Sequence, residues 1–254
     1  MTKINEIFKS IQGEGYWTGR QAIFIRFAGC NRKCHFCDTD HSPVVVLTPE
    51  QIAGMVADIL PQDSHRQGSW GAEIYSPYLL VLTGGEPTLQ MTQKWMASFL
   101  KALPPCPEFL IAIEINGDNP IGYLRDIYEE PDKKFIRFCT TENHGIDVGV
   151  DNFWVTLSPK SQAAERGEDG LDHIPFHPKV DEVKLVADPS WVDNRTMDEC
   201  CERWGNLTKH FFLQPMDCRR ITERMANLDY CTDLLERDPR WRLSLQMHKI
   251  IKIK

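Results

Sequence analysis

No apolar stretch in the sequence approaches the length needed to span a bilayer, which excludes a membrane-spanning helix. The opening residues, Met1-Thr2-Lys3-Ile4-Asn5-Glu6, lack the charged-then-apolar layout of a secretion signal. Positive charge is not in surplus: 29 Lys and Arg stand against 36 Asp and Glu, a net charge of -7. That excludes the broad basic face a nonspecific nucleic-acid binder needs, while a local basic cluster can still meet a small anion. The nine cysteines are odd in number and mostly scattered, so there is no disulfide framework. Six of them (Cys106, Cys139, Cys200, Cys201, Cys218 and Cys231) lack the spacing of a second ligand set and read as core or surface thiols. Internal repeats and low-complexity tracts are missing as well. What remains is a cytoplasmic globular protein, 42% hydrophobic and 26% charged over 254 residues, long enough for one large α/β domain or two small ones.

The other three cysteines are clustered. Cys30, Cys34 and Cys37 stand at C-x3-C-x2-C spacing directly after the apolar run Ala22–Phe27. Three thiolates can hold three irons of a four-iron, four-sulfur cube and leave the fourth without a protein ligand. A structural site closes its coordination sphere, whereas a site that does chemistry keeps one position open. The alternatives are a zinc knuckle borrowing a distant ligand, with His35 available inside the loop, or three unrelated thiols. The spacing, with aromatic Phe36 before the last cysteine, resembles the radical S-adenosylmethionine (SAM) enzymes. In those, the open iron is chelated by the amino and carboxylate groups of SAM.

Further along, apolar runs alternate with helical patterns. Thr48-Pro49-Glu50-Gln51 predicts a helix start with Thr48 as N-cap, running to about Ile59. Residues 61–77 read as a surface loop. Runs at Leu79–Leu82, Phe109–Ile115, Phe153–Leu157, Val183–Ala187 and Phe211–Leu213 join Ala22–Phe27 as six strands of the buried type. Helices are expected near Thr92–Leu103, Thr196–Trp204 and Arg219–Arg237, and the alternation over Trp241–His248 predicts an edge strand. Met1–Phe8 reads as an extended segment before a glycine-spaced loop, Ser10–Gly15, and the mixed charges of Glu129–Lys134 read as a solvated turn. Strands separated by helices imply a parallel sheet, whose ligands bind at the carboxyl ends of the strands.

Five of the six strands are followed by polar or flexible residues: the cysteine loop, Thr83-Gly84-Gly85-Glu86-Pro87, Glu114-Ile115-Asn116-Gly117, Ser158-Pro159-Lys160 and Gln214-Pro215-Met216-Asp217. That rim is the expected active site. The paired glycines let backbone carbonyls approach a ligand amine, and Glu86 adds a charge suited to it. Gly-Gly-Glu-Pro after a buried strand is also a second hallmark of the radical SAM group.

Within that group the chain resembles the 7-carboxy-7-deazaguanine synthase family, over residues 3 to 254. The resemblance is carried by Phe8–Gly15, Gly19–Ala22, Arg26–Cys30, Cys37–Asp40, Thr83–Pro87, Gln214–Asp217 and the tail Trp241–Lys249. It implies a partial (β/α)6 barrel of the radical SAM type, a single domain over 1–254 with an N-terminal strand segment, 1–20, and a substrate-covering tail, 241–254. The implied reaction rearranges 6-carboxy-5,6,7,8-tetrahydropterin to 7-carboxy-7-deazaguanine with loss of ammonia, a lyase step of queuosine and 7-deazapurine biosynthesis. Implied cofactors are a 4Fe-4S cluster on Cys30, Cys34 and Cys37, SAM, and Mg2+ on Thr39. SAM would be held by Phe36, Gly85, Glu86, Glu114, Ser158, Pro159, Lys160, Gln214, Pro215, Met216 and Asp217. Substrate would be held by Ile11, Gln12, Gly13, Glu14, Arg26, Thr83, His248 and Lys254. A homodimer and a flavodoxin- or ferredoxin-like one-electron reductant are implied partners. Ile115 stands where the family usually has threonine, and segments 117–152 and 161–181 are longer than in compact members. A glycyl-radical activase would share the cysteine loop without needing Gln12–Glu14 or the His248 tail.

Overall fold

The computed structural model describes residues 1–60, 78–104, 109–122, 124, 153–160 and 171–254. The expected loop at 61–77, the charge run Glu129–Lys134, Cys106, Cys139, most of segment 117–152 and residues 161–170 lie outside them. The described elements are β1 (Thr2–Ile11), β2 (Gln21–Phe27), β3 (Val45–Leu47), α1 (Pro49–Ile59), β4 (Tyr78–Gly84), α2 (Gln93–Ala102), β5 (Phe109–Ile115), β6 (Phe153–Leu157), β7 (Glu182–Ala187), α3 (Asn194–Trp204), β8 (Phe211–Pro215), α4 (Ile221–Arg237), β9 (Trp241–Leu243) and α5 (Met247–Ile250). They form one nine-stranded sheet in the order β3-β1-β2-β4-β5-β6-β7-β8-β9. Strands β2 and β4 to β9 run parallel, and β1 is antiparallel to β2 and β3 at one edge. This is the α/β partial barrel expected: the six buried runs are β2 and β4 to β8.

Side-chain alternation sorts each strand onto two faces. Ile23, Ile25 and Phe27 of β2, Leu80 and Leu82 of β4, and Ile111 and Ile113 of β5 pack beneath the helices, against Ile52 and Val56 of α1 and Trp95 and Phe99 of α2. Fully burying one such aliphatic or aromatic side chain contributes about 1.5–3 kcal/mol. The opposite face changes character along the strands. Toward their starts it is apolar, with Ala22, Leu79, Val81, Leu110 and Ala112 under Trp17 and Trp154. Toward their ends it turns polar: Arg26 lies opposite Thr83, and Glu114 opposite Thr156.

Helix α1 starts as read, with Thr48 and Gln51 forming a reciprocal capping box and Pro49 in the first turn. Three expectations need correcting. β1 runs on to Ile11, because Ser10 and Ile11 pair with Ala22 and Gln21, so only the residues after it form the glycine loop. The edge strand over Trp241–His248 covers only Trp241–Leu243; the chain then leaves β8 and closes a helical turn at Met247–Ile250. And Val45–Leu47, too short for its periodicity to register, adds a strand to β1.

Candidate active site

A cavity of about 330 Å³ opens at the carboxyl ends of the parallel strands. Every residue assigned above to cluster, SAM, Mg2+ or substrate lines it, except Pro159 and Met216. Met216 instead offers its carbonyl to Asn227 of α4 at 2.8 Å.

The cysteine loop is fixed from two sides. Its base rests on the β4 loop, where the Glu86 amide donates to the Gly29 carbonyl at 2.8 Å. A Cβ at Gly85 would fall 1.8 Å from that carbonyl oxygen, so only glycine allows the two loops to touch. Its tip is held by the loop after β5. Arg32 forks onto Asp118, Nε at 2.7 Å and Nη2 at 2.5 Å, and Asn31 bridges Asp118 and Asn116. Cys30, Cys34 and Cys37 are unpaired thiols on the cavity wall. Burial pushes the Cys30 and Cys34 thiols up, and a bound metal would reverse this because it takes thiolates. Among the described residues no three His, Cys, Asp or Glu side chains gather around a single-ion site. Three thiols sharing one wall are chemically suited to a four-iron cube in which each takes its own iron.

Glu86 does not meet its expected role simply. One carboxylate oxygen accepts from the Thr88 amide at 3.1 Å and hydroxyl at 2.6 Å, and the other from the Asn116 amide at 2.8 Å. Burial still raises its pKa against those bonds. The side chain thus joins the β4 and β5 loops while lining the cavity beside Gly84 and Gly85. Ile115 puts its side chain into the helix-side core, while its carbonyl accepts from the Ser158 amide at 2.8 Å.

A continuous polar network crosses the cavity. Thr83 donates to Glu114 at 2.6 Å, and Gln12 donates to the other Glu114 oxygen at 3.2 Å. Gln12 Oε1 accepts from the Glu14 amide, and Glu14 pairs with Lys184 Nζ at 2.5 Å. Burial alone would raise the Glu14 pKa, but Lys184 and the hydrogen bonds from Lys184 and Gln246 hold the carboxyl below its ordinary value. Burial likewise works against the Lys184 charge, yet Glu14, Glu114 and Glu182 surround it and lift its pKa. Lys160 donates to Ser158 at 2.8 Å and lies 5.8 Å from the Phe36 ring centre; burial lowers its pKa.

Arg26 is only half satisfied. Nη1 pairs with Glu6 at 2.5 Å, whereas Nε is buried with no partner. A guanidinium on a cavity wall with a buried donor left unpaired suits an anionic ligand. Thr39 stands beside Asp38, its hydroxyl 3.4 Å from Oδ1, a pair of hard oxygens chemically suited to Mg2+.

The tail closes the remaining side. The Met247 amide donates to the Gly13 carbonyl at 3.0 Å, and a Cβ at Gly13 would come within 2.4 Å of the His248 ring. Lys254 pairs with Glu6, lies over the Phe8 ring, and accepts from the Ser10 hydroxyl through its carbonyl. Sequence reading missed Lys184, Arg32, Asp118, Gln246 and Lys249. The period-two alternation of β7 could have flagged Lys184, since it falls on the face of Glu182 and Val186; nothing local marks Asp118.

An open parallel sheet that presents three free thiols and a polar cavity at its carboxyl ends defines the radical SAM class of enzyme. No protein-family model matches the chain. Among known proteins it is 33% identical over 254 residues, 100% of both chains, to 7-carboxy-7-deazaguanine synthase of Bacteroides thetaiotaomicron. It is 34% identical over 266 residues, 98% of each chain, to the enzyme of that name from Bordetella pertussis. The crystal structure of QueE from Escherichia coli superposes over 97% of this chain and 94% of its own, with a TM-score of 0.50 and 24% identity, a likeness of fold. The chain belongs to the 7-carboxy-7-deazaguanine synthase family.

Proposed function

We propose that this chain converts 6-carboxy-5,6,7,8-tetrahydropterin to 7-carboxy-7-deazaguanine with loss of ammonia. It does so as one domain of a cytoplasmic homodimer, drawing single electrons from a flavodoxin- or ferredoxin-like reductant. The observation that carries the reading is Arg26, which lines the same cavity as the three thiols and keeps its buried Nε without a partner. When bound, SAM on a 4Fe-4S cluster supplies a 5′-deoxyadenosyl radical able to remove a hydrogen atom from the pterin.

Cys30, Cys34 and Cys37 would hold the cluster, and Thr39 the Mg2+. Phe36, Gly85, Ser158, Lys160 and the segment Gln214–Asp217 would hold SAM. Arg26 receives the substrate carboxylate, its guanidinium braced by Glu6 on the far side. Ile11, Gln12, Gly13 and Thr83 form the pterin wall, and Glu114 keeps Gln12 and Thr83 in register. Glu14 stays ionised beside Lys184, so the pair sets two fixed charges on the pterin side of the cavity. His248 and Lys254 roof the cavity and exclude water.

The test is anaerobic incubation of the reconstituted protein with the pterin, SAM and a reductant. Ring-contracted product, with SAM regenerated rather than consumed, is expected. SAM cleavage without that product would sink the assignment, and cleavage only in the presence of a glycine-bearing polypeptide would favour an activase.

A further inference from the structure

Lys249 closes the Gln246–Lys249 block, and the functional reading leaves it without a task. Its ammonium donates to Asp38, to Asp217 Oδ2 at 2.5 Å and to Gln246 Oε1 at 2.8 Å. An ammonium has three N–H donors, so all are engaged. Asp38 directly follows Cys37, and Asp217 lies two residues past the end of β8. Two of the three acceptors thus belong to separate walls of the cavity. Gln246 adds a parallel tie, donating to Glu14 at 2.9 Å and to Asp38 at 3.0 Å. Asp217 is itself fixed, its other oxygen accepting from Arg224 Nε at 2.8 Å and the Cys218 amide at 3.0 Å. Cys37 is the exposed member of the thiol triad, and it neighbours this junction.

We propose that Lys249 is a positioning residue that ties the tail to the cysteine loop and the β8 loop, so that the cavity holding the three thiols is closed along Asp38 and Asp217 only while the tail is docked. The proposal rests on the functional reading in one respect, that the cysteine loop carries an oxygen-sensitive cluster. Partly exposed ion pairs are individually weak, and Lys249 is a third exposed. Losing them shifts a docked–undocked balance by roughly tenfold without unfolding the sheet.

The experiment compares Lys249→Met and Lys249→Arg with the parent, each full-length and reconstituted anaerobically. Two readouts are independent of turnover: bleaching of the cluster's visible absorption in air, and release of C-terminal residues by carboxypeptidase. The Met protein is expected to bind iron and sulfide as the parent does, to bleach and release roughly tenfold faster, and to raise the KM for pterin more than it lowers kcat. The Arg protein restores most of the protection. Parent-like bleaching and release in the Met protein overturns the proposal. Should the Met protein lose iron, carboxypeptidase release is compared between the cluster-free forms of the Met protein and the parent. Faster release from the Met protein supports the tie, and parent rates there overturn it. If the parent makes no product from the pterin while Lys249→Met still loses protection, the functional reading falls and the tie stands.

Discussion

Arg26 is braced on one side and open on the other, and that asymmetry can be measured. Nη1 is occupied by Glu6, while Nε is a buried donor without an acceptor. Lysine in its place keeps the charge and can still reach Glu6, but it loses the planar fork. A hydrogen bond to a charged group contributes about 1.5–3 kcal/mol, so Arg26→Lys is expected to raise the KM for the carboxypterin by roughly 10- to 100-fold. Inhibition by a tetrahydropterin lacking the carboxylate should be unchanged. Equal losses for both ligands, in steady-state kinetics, would show that Arg26 does not read the carboxylate. Arg26 was legible because it sits in a family block one residue short of a strand end. Lys184 was not: a lysine inside an apolar strand reads as a side chain turned to water, and only the fold reveals three carboxylates around it. Arg32 and Asp118 were hidden for a different reason, since the fork joins loops 86 residues apart.

Strand β7 carries the clearest pH dependence. Its inner face places Glu182 beneath Lys184, where Oε2 accepts from the Tyr16 amide at 3.1 Å and Trp154 Nε1 at 3.2 Å. Burial raises the Glu182 carboxyl from its ordinary 4.5 to about 7, against the pull of Lys184. The unfolded chain therefore releases this proton first, and the folded protein binds more protons between those values. Stability must fall as pH rises through that window, by up to about 1.4 kcal/mol per pH unit. Glu14, held low, acts below the window, and Lys184, held high, acts above it. His177 and His210, lowered by burial, tilt the same interval the other way, so the readout is the difference between two proteins. Glu182→Gln is expected to match the parent near pH 4.5 and to exceed it by about 3 kcal/mol at pH 8. Urea unfolding across that range checks this, and a pH-independent difference would refute it. Elements themselves were read well where one signal acted alone: α1 from its capping box, and β5 and β6 from apolar runs interrupted only by Glu114 and Thr156. The region after Leu243 was misread because alternation there serves the cavity roof rather than a sheet.

The two ends of the chain meet across the site. β1 lies beside β2 near one edge of the sheet and β9 forms the other edge, so the open side of the partial barrel lies between them. Residues 244–254 cross that gap, from the Ser244 amide on Leu213 to Lys254 on Glu6 and Ser10. The sheet's existence and direction were legible, because six buried runs separated by helices admit few other arrangements. The crossing was not, since it depends on contacts between positions more than 230 residues apart. Its energetics differ from those of the core. The last core residue is Trp241, and Ile250, Ile251 and Ile253 keep 60%, 49% and 37% of their surface exposed. Removing residues 247–254 therefore takes little apolar burial from the fold. It does remove His248, Lys249 and Lys254 from the cavity wall and leaves Glu6 with Arg26 as its remaining ion-pair partner. The shortened protein is expected to unfold thermally within about 4 °C of the parent, to reconstitute its cluster, and to bind the carboxypterin at least tenfold more weakly, a loss of about 1.4 kcal/mol. Calorimetry and equilibrium binding separate the two effects: a large fall in the thermal midpoint would make the tail part of the core, and undiminished binding would leave the roof without a role in holding substrate.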